Sequence, residues 1–97
     1  MSYVIKQTET FAKWRATLKD LTAATAIRRR IDRAEFGNLG DTKSVGDGVS
    51  EMRIDVGPGY RVYFTVRNRK VVFLLAGGNK STQATDIRKA IELAKEI

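Results

Sequence analysis

Apolar residues in this chain recur at helical spacing in its first third and at strand spacing in its second half. Tyr3 to Gln7 is short and rich in β-formers, which predicts a strand. Phe11, Trp14, Leu18 and Leu21 then fall three and four residues apart, one face of a helix directed at a core, with Thr8 or Thr10 as its N-cap. Thr22 is a candidate second cap, and Ala23, Ala26, Ile27, Ile31 and Ala34 continue the period until Gly37-Asn38-Leu39-Gly40 ends it. These stretches predict a helical hairpin. Gly40 to Gly48 is rich in Gly, Asp and Ser and reads as a loop.

After the loop the period changes to two. Ser50 to Val56 sets Met52, Ile54 and Val56 against Glu51, Arg53 and Asp55, and Tyr60 to Arg67 sets Val62, Phe64 and Val66 against Arg61, Tyr63, Thr65 and Arg67. Val71 to Ala76 is apolar throughout, as a central strand is. Thr82 to Ile97 closes the chain as a helix with Ile87, Ala90, Ile91, Ala94 and Ile97 in one stripe. The predicted order is βααβββα, an α+β fold with a small, mostly antiparallel sheet and its helices packed on one face.

Strand register decides where the charges gather. A three-residue Gly57-Pro58-Gly59 loop would pair Ile54 with Val62 and Met52 with Phe64, keeping the apolar faces together and setting Arg53 opposite Tyr63 and Asp55 opposite Arg61. A two-residue Asn68-Arg69 loop would pair Phe64 with Phe73 and bring Arg61 opposite Ala76. Arg53, Arg61, Tyr63 and Lys80 then converge on the open face, over a floor of Val72, Leu74 and Ala76. Phosphate-bearing ligands suit that inventory; a merely solvated sheet face is the plainer alternative.

Composition narrows the chemistry. With 97 residues and 42% hydrophobic content, the chain reads as one domain spanning residues 1–97. It contains no Cys and no His, which removes disulfides, Cys/His zinc sites and every nucleophile that relies on a Cys or His. The expectation is that it works without metal or cofactor. Neither a membrane span nor a signal peptide is visible, so a cytoplasmic location is expected. Eighteen Lys and Arg against eleven Asp and Glu give a net charge of +7, which attracts polyanions and makes nucleic acid the expected partner class.

The run from Asn38 to Gln83, with GDGVSEMRI, GPGYRVYF and LLAGGNKSTQ in that order, resembles the RelE/ParE toxins of bacterial toxin–antitoxin pairs. The similarity is to the branch called addiction module killer proteins, or HigB-like toxins, and the N-terminal FAKWRATLKD also fits it. This resemblance implies a toxin silenced by a cognate antitoxin, expected to be a helix-turn-helix protein, and acting on mRNA at the ribosome. In such endoribonucleases the substrate's own 2′-OH attacks the adjacent phosphate. On that reading Arg53 and Arg61, which match the family's motif positions, stabilise phosphate charge, Lys80 transfers a proton, and Tyr63 stacks on a base or positions a phosphate. The chain departs from well-studied ribonucleases of the superfamily in lacking His and an aromatic residue near its C-terminus. ParE-like toxins share the fold and inhibit DNA gyrase instead, and a non-catalytic RNA-binding module is a further alternative.

Other features divide between function and structure. Arg28, Arg29 and Arg33 on the second predicted helix, with Arg67 on the third predicted strand, are candidate RNA contacts; on the helix, the competing reading is a solvated face with an Arg28–Asp32 pair. Gly77 to Thr82 precedes a helix but lacks the spacing of an NTPase phosphate loop, although amides at Ser81 or Thr82 could assist an anion. Glu51 and Asp55 are better explained by ion pairing with the neighbouring arginines than by a metal site. A pure interaction module for an acidic peptide remains the alternative outside nucleic-acid chemistry.

Overall fold

Residues 2–97 are described by a computed structural model in which two side-chain caps divide the N-terminal helical stretch. Thr8 Oγ1 accepts from Phe11 N at 3.0 Å and starts α1 (Glu9–Ala16). Asp20 Oδ1 accepts from Thr22 N at 2.9 Å and starts α2 (Leu21–Glu35), so the second cap is Asp20 and not Thr22. The chain leaves helical geometry between these elements. Leu18 still reaches the core, but Leu21, expected on the same apolar face, opens α2 at 81% exposure.

β1 (Val4–Gln7) precedes the helices; β2 (Thr42–Gly46), β3 (Val49–Ile54), β4 (Tyr60–Arg67) and β5 (Val71–Asn79) follow, and a 3-10 turn (Lys80–Thr82) leads into α3 (Gln83–Lys95). The sheet order is β1-β5-β4-β3-β2, with β1 parallel to β5 and all other pairs antiparallel. β2 lies inside the segment read as a loop. Its hairpin turns through Asp47 and Gly48, both at positive φ (53° and 76°), the Asp-Gly signature of a tight two-residue connection.

Both faces of the sheet are covered, which corrects the expectation of helices on one face. Phe11 and the α2 residues Ile27, Ile31 and Ala34 pack against Met52, Ile54, Val62, Phe64, Val72 and Leu74. On the opposite face α3 lays Ala90 and Ala94, with Ile87 and Ile91, over Val49, Tyr63, Leu75 and Ala76. The apolar stripe of α3 requires such a surface, and the face expected to be open supplies it.

Both predicted registers shift. β3 and β4 pair Met52 with Val62 and Ile54 with Tyr60, so the connection is Asp55–Gly59 and Arg53 faces Arg61 instead of Tyr63. β4 and β5 pair Arg67 with Val71 and Phe64 with Leu74, and a bulge then sets Tyr63 opposite Ala76 and Arg61 opposite Gly78. Asn68 and Arg69 both take positive φ in this turn. A one-residue slip reverses strand faces. Val72 and Leu74 accordingly belong to the α1/α2 core and form no floor beneath the charges.

Candidate functional site

Arg53 and Arg61 are direct cross-strand neighbours on β3 and β4, and Lys80 is drawn to the same rim by the hydrogen bond from its N–H to the Gly59 carbonyl at 2.8 Å. A Cβ at Gly59 would lie 3.7 Å from both Arg61 Nη1 and Lys80 Cβ, so these two cations flank one glycine. Three of the four sequence-predicted catalytic residues therefore share one corner of the molecule. Tyr63 does not. Its side chain is fully buried under α3, with a phenol oxygen that has no hydrogen-bond partner among the described residues, and a ring in that position is shielded from bases.

Carboxylates set the state of each arginine. Asp41, in the segment read as a loop, holds Arg53 Nη2 at 2.8 Å in an exposed pair. This hydrogen bond holds the Asp41 carboxyl below the usual carboxylate range and pushes the Arg53 guanidinium higher. Arg61 is held more firmly: its Nε lies 3.2 Å from Glu51 Oε2, and its Nη1 donates to the Tyr60 carbonyl at 3.1 Å. Glu51 is itself almost wholly buried and accepts from Gln83 Nε2 at 2.9 Å, which ties the start of α3 to the sheet. The ion pairing foreseen for Glu51 is present, while Asp55 stands exposed and without an ion pair among the described residues.

The remaining cations divide into structural and free groups. Arg30 donates to the carbonyls of Leu39 and Asp41 at 3.1 Å each and to that of Arg53, stitching α2 to the site's rim. Burial, with Arg33 nearby, lowers the pKa of its guanidinium. Gly40, at φ 70°, lets this guanidinium lie against the backbone, since a Cβ there would sit 2.7 Å from Arg30 Nη2. Arg67 donates to the carbonyls of Ala94 at 2.8 Å and Ile97 at 3.3 Å, so its fork is engaged by the end of α3. Arg28, Arg29 and Arg33 are exposed on α2, with Arg28 3.9 Å from Asp32. At the α3 start, Asn79 Oδ1 accepts from Ser81 N at 2.8 Å, so a side chain of the protein already occupies the Ser81 amide considered for an anion, and Asp86 accepts from Thr82 Oγ1 at 2.5 Å beside it. Asp41 and Gln83 are the site residues that sequence reasoning missed; the Asp47-Gly48 pair signalled a hairpin there, but only the bulge between Ser44 and Gly46 sets Asp41 beside Arg53.

Burial raises the Tyr63 phenol to about 12, with the Glu51 and Asp86 carboxylates contributing. A folded-state value above the unfolded one of about 10 means full stabilisation below pH 10, lost as pH rises through 12. Chemical denaturation between pH 9 and 12 should show roughly 2–3 kcal/mol of loss assignable to this group by linkage. Tyr63→Phe should lack that component; an identical pH profile for the variant would refute the assignment.

The family model described as Phage derived protein Gp49-like (DUF891) matches residues 14–97. An uncharacterized protein of Haemophilus influenzae is 53% identical over 97 residues, spanning 100% of this chain and 98% of that protein. Among solved structures, a mutant of the E. coli toxin RelE in the free state superposes with a TM-score of 0.75 at 17% identity, over 95% of this chain and 97% of that one. A chain of the intact E. coli RelBE toxin–antitoxin complex gives 0.67 at 21% identity over 80% and 96%, and one of the archaeal RelE–RelB complex from Pyrococcus horikoshii gives 0.61 at 18% over 82% and 97%. At these identities the likeness is one of fold.

Proposed function

Because this chain belongs to the Gp49-like family of phage-derived proteins and has the RelE fold, we propose that it is the toxin of a toxin–antitoxin pair and cleaves mRNA at the ribosome. The observation that carries this reading is the junction of Arg53, Arg61 and Lys80 at one rim of the sheet. The HigB-like kinship noted in the sequence and a cognate antitoxin as partner belong to the same proposal.

Cleavage by a 2′-OH concentrates negative charge on the phosphate as the new P–O bond forms and the 5′-oxygen leaves. Arg61, fixed by Glu51 and the Tyr60 carbonyl, offers a preorganised donor that need not be reordered when the substrate arrives. Arg53 offers an exchangeable one. Its bond to Asp41 is exposed and contributes little, so a phosphate can replace that carboxylate at small cost. Lys80, exposed beside Arg61, donates a proton to the departing 5′-oxygen, while the 2′-OH proton passes to water as the new P–O bond forms. Tyr63 has no direct part; it supports α3 from beneath. The exposed Arg28, Arg29 and Arg33 extend the positive surface for ribosomal RNA, whereas Arg67 serves the fold.

The test adds the protein to a translating extract and maps mRNA 5′ ends by primer extension. New cuts at ribosome-occupied codons are expected, with Lys80→Ala and Arg53→Ala each reducing cleavage about 10²–10³-fold while leaving the melting temperature nearly unchanged. Intact mRNA with undiminished translation would overturn the proposal, and inhibition of DNA supercoiling in a parallel assay would replace it with gyrase inhibition.

A further inference from the structure

β5 outruns its parallel partner. β1 pairs only with Val71–Leu74, so Ala76–Asn79 has β4 on one side and no strand on the other. Lys80 N–H bonds the Gly59 carbonyl, and bonded and non-bonded pairs alternate along an antiparallel ladder. The Val62–Gly77 and Tyr60–Asn79 pairs are therefore non-bonded, and the backbone N–H and C=O groups of Gly77 and Asn79 point to the free edge. The Asn79 carbonyl is taken up at the start of the 3-10 turn and lies 3.4 Å from Thr82 Oγ1, which leaves the N–H and C=O of Gly77 and the N–H of Asn79 at the free edge.

Helices α1 and α3 straddle that edge and leave an open groove of ≈ 540 Å³, with Trp14 and Tyr60 in its walls and Lys19 on its rim. The two rings lie 6.4 Å apart at 58°. A second hollow of ≈ 420 Å³ continues past Trp14 to Lys89. Two carboxylates also line the groove, and both are engaged: Asp20 caps α2 and Asp86 accepts from Thr82. Lysines and carboxylates thus nearly balance, which suits a neutral planar group better than a phosphate. The free edge is too short for strand addition, about 13 Å at ~3.3 Å per residue, yet a paired backbone donor and acceptor match the hydrogen-bonding edge of a heterocycle.

We propose that this groove takes one unpaired RNA nucleobase, stacked on Tyr60 beside Trp14 and read at its edge by the backbone N–H and C=O of Gly77. The inference rests on the ribonuclease reading: the groove lies across Gly59 and Asn79 from Arg61 and Lys80, so the base it holds neighbours the scissile phosphate and sets sequence preference.

Trp14 is the sole tryptophan, so its fluorescence reports occupancy without requiring cleavage. AMP, GMP, CMP and UMP are titrated against the full chain, with ribose 5-phosphate as control. Saturable quenching by at least one nucleotide, absent with ribose 5-phosphate, is expected. Affinity should fall about fivefold or more in Tyr60→Leu, as loss of a stacking ring implies, and hold in Tyr60→Phe, which keeps the ring and the fold. The preferred base should recur beside the mapped cuts. Equal quenching by all nucleotides and ribose 5-phosphate, unchanged affinity in Tyr60→Leu, or quenching only by an extended peptide would overturn the inference. Base-dependent quenching with intact mRNA would uphold the groove and reject the nuclease.

Discussion

Arg61→Ala should lower the free energy of unfolding by about 3–5 kcal/mol, far more than a surface charge would. The Arg61 and Glu51 side chains are only 13% and 4% exposed, so deleting the cation strands a carboxylate beneath α3 with Gln83 as its remaining partner. The double variant Arg61→Ala/Glu51→Gln should recover most of the loss, because an amide needs no counter-charge. Urea denaturation of the wild type, both single variants and the double gives the coupling directly. A single-variant cost under about 1 kcal/mol, the range of exposed pairs, would show that the pair is effectively solvated. The double variant also separates folding from chemistry: if Arg61 binds the phosphate, restored stability comes without restored cleavage.

Gly77→Ala should cost about 3 kcal/mol, the upper range for overpacking. A Cβ on Gly77 would overlap the six-membered ring of Trp14, and that ring packs against Phe11 at 5.8 Å between centroids and against the α1/α2 core. To admit that Cβ, either the ring must turn out of its packing with Phe11 or α1 must lift from β5. Thermal melting together with near-ultraviolet circular dichroism of Trp14 measures both consequences. A melting temperature within about 1 °C of wild type would mean that the ring slides freely, since 1 kcal/mol moves a domain of this size by roughly 4–8 °C.

The difference between these two glycine-edge and buried-pair effects and a simple charged surface was not legible in the residues alone. Strand alternation at Met52, Ile54, Val62 and Phe64 located one core face correctly, and the helical period located Phe11, Ile27, Ile31 and Ala34. β5 defeated the same reasoning because VVFLLA is apolar on both sides, so nothing in it marks which residues face which helix layer. Its register depends on turn geometry at Asn68 and Arg69 and on the bulge opposite Tyr63 and Phe64, which are tertiary choices. The apparent charged face misled for a related reason. Glu51, Tyr63 and Thr65 look like solvent-facing residues by period, but each is buried, Glu51 by an ion pair and Thr65 by a hydrogen bond to the Gly48 carbonyl at 2.8 Å. Arg53, Arg61 and Lys80 were found together because the Gly-rich turn and the β5–α3 junction bring them to one rim under either register.

Joining β1 to β5 in parallel ties the first strand of the sheet to one encoded more than sixty residues later, as in the Val4–Val71 pair. On a ribosome, the first strand and its two helices emerge before any partner for their apolar faces: Met52 and Ile54 of β3 follow, and the surface is complete only when the β4–β5 hairpin has left the exit tunnel. Topologies dominated by such distant pairings fold slowly, and the interval leaves a nascent chain with an unsheltered helical hairpin. Synthesis therefore builds in a delay: the rim that gathers Arg53, Arg61 and Lys80 cannot assemble until β5 and Lys80 have left the exit tunnel.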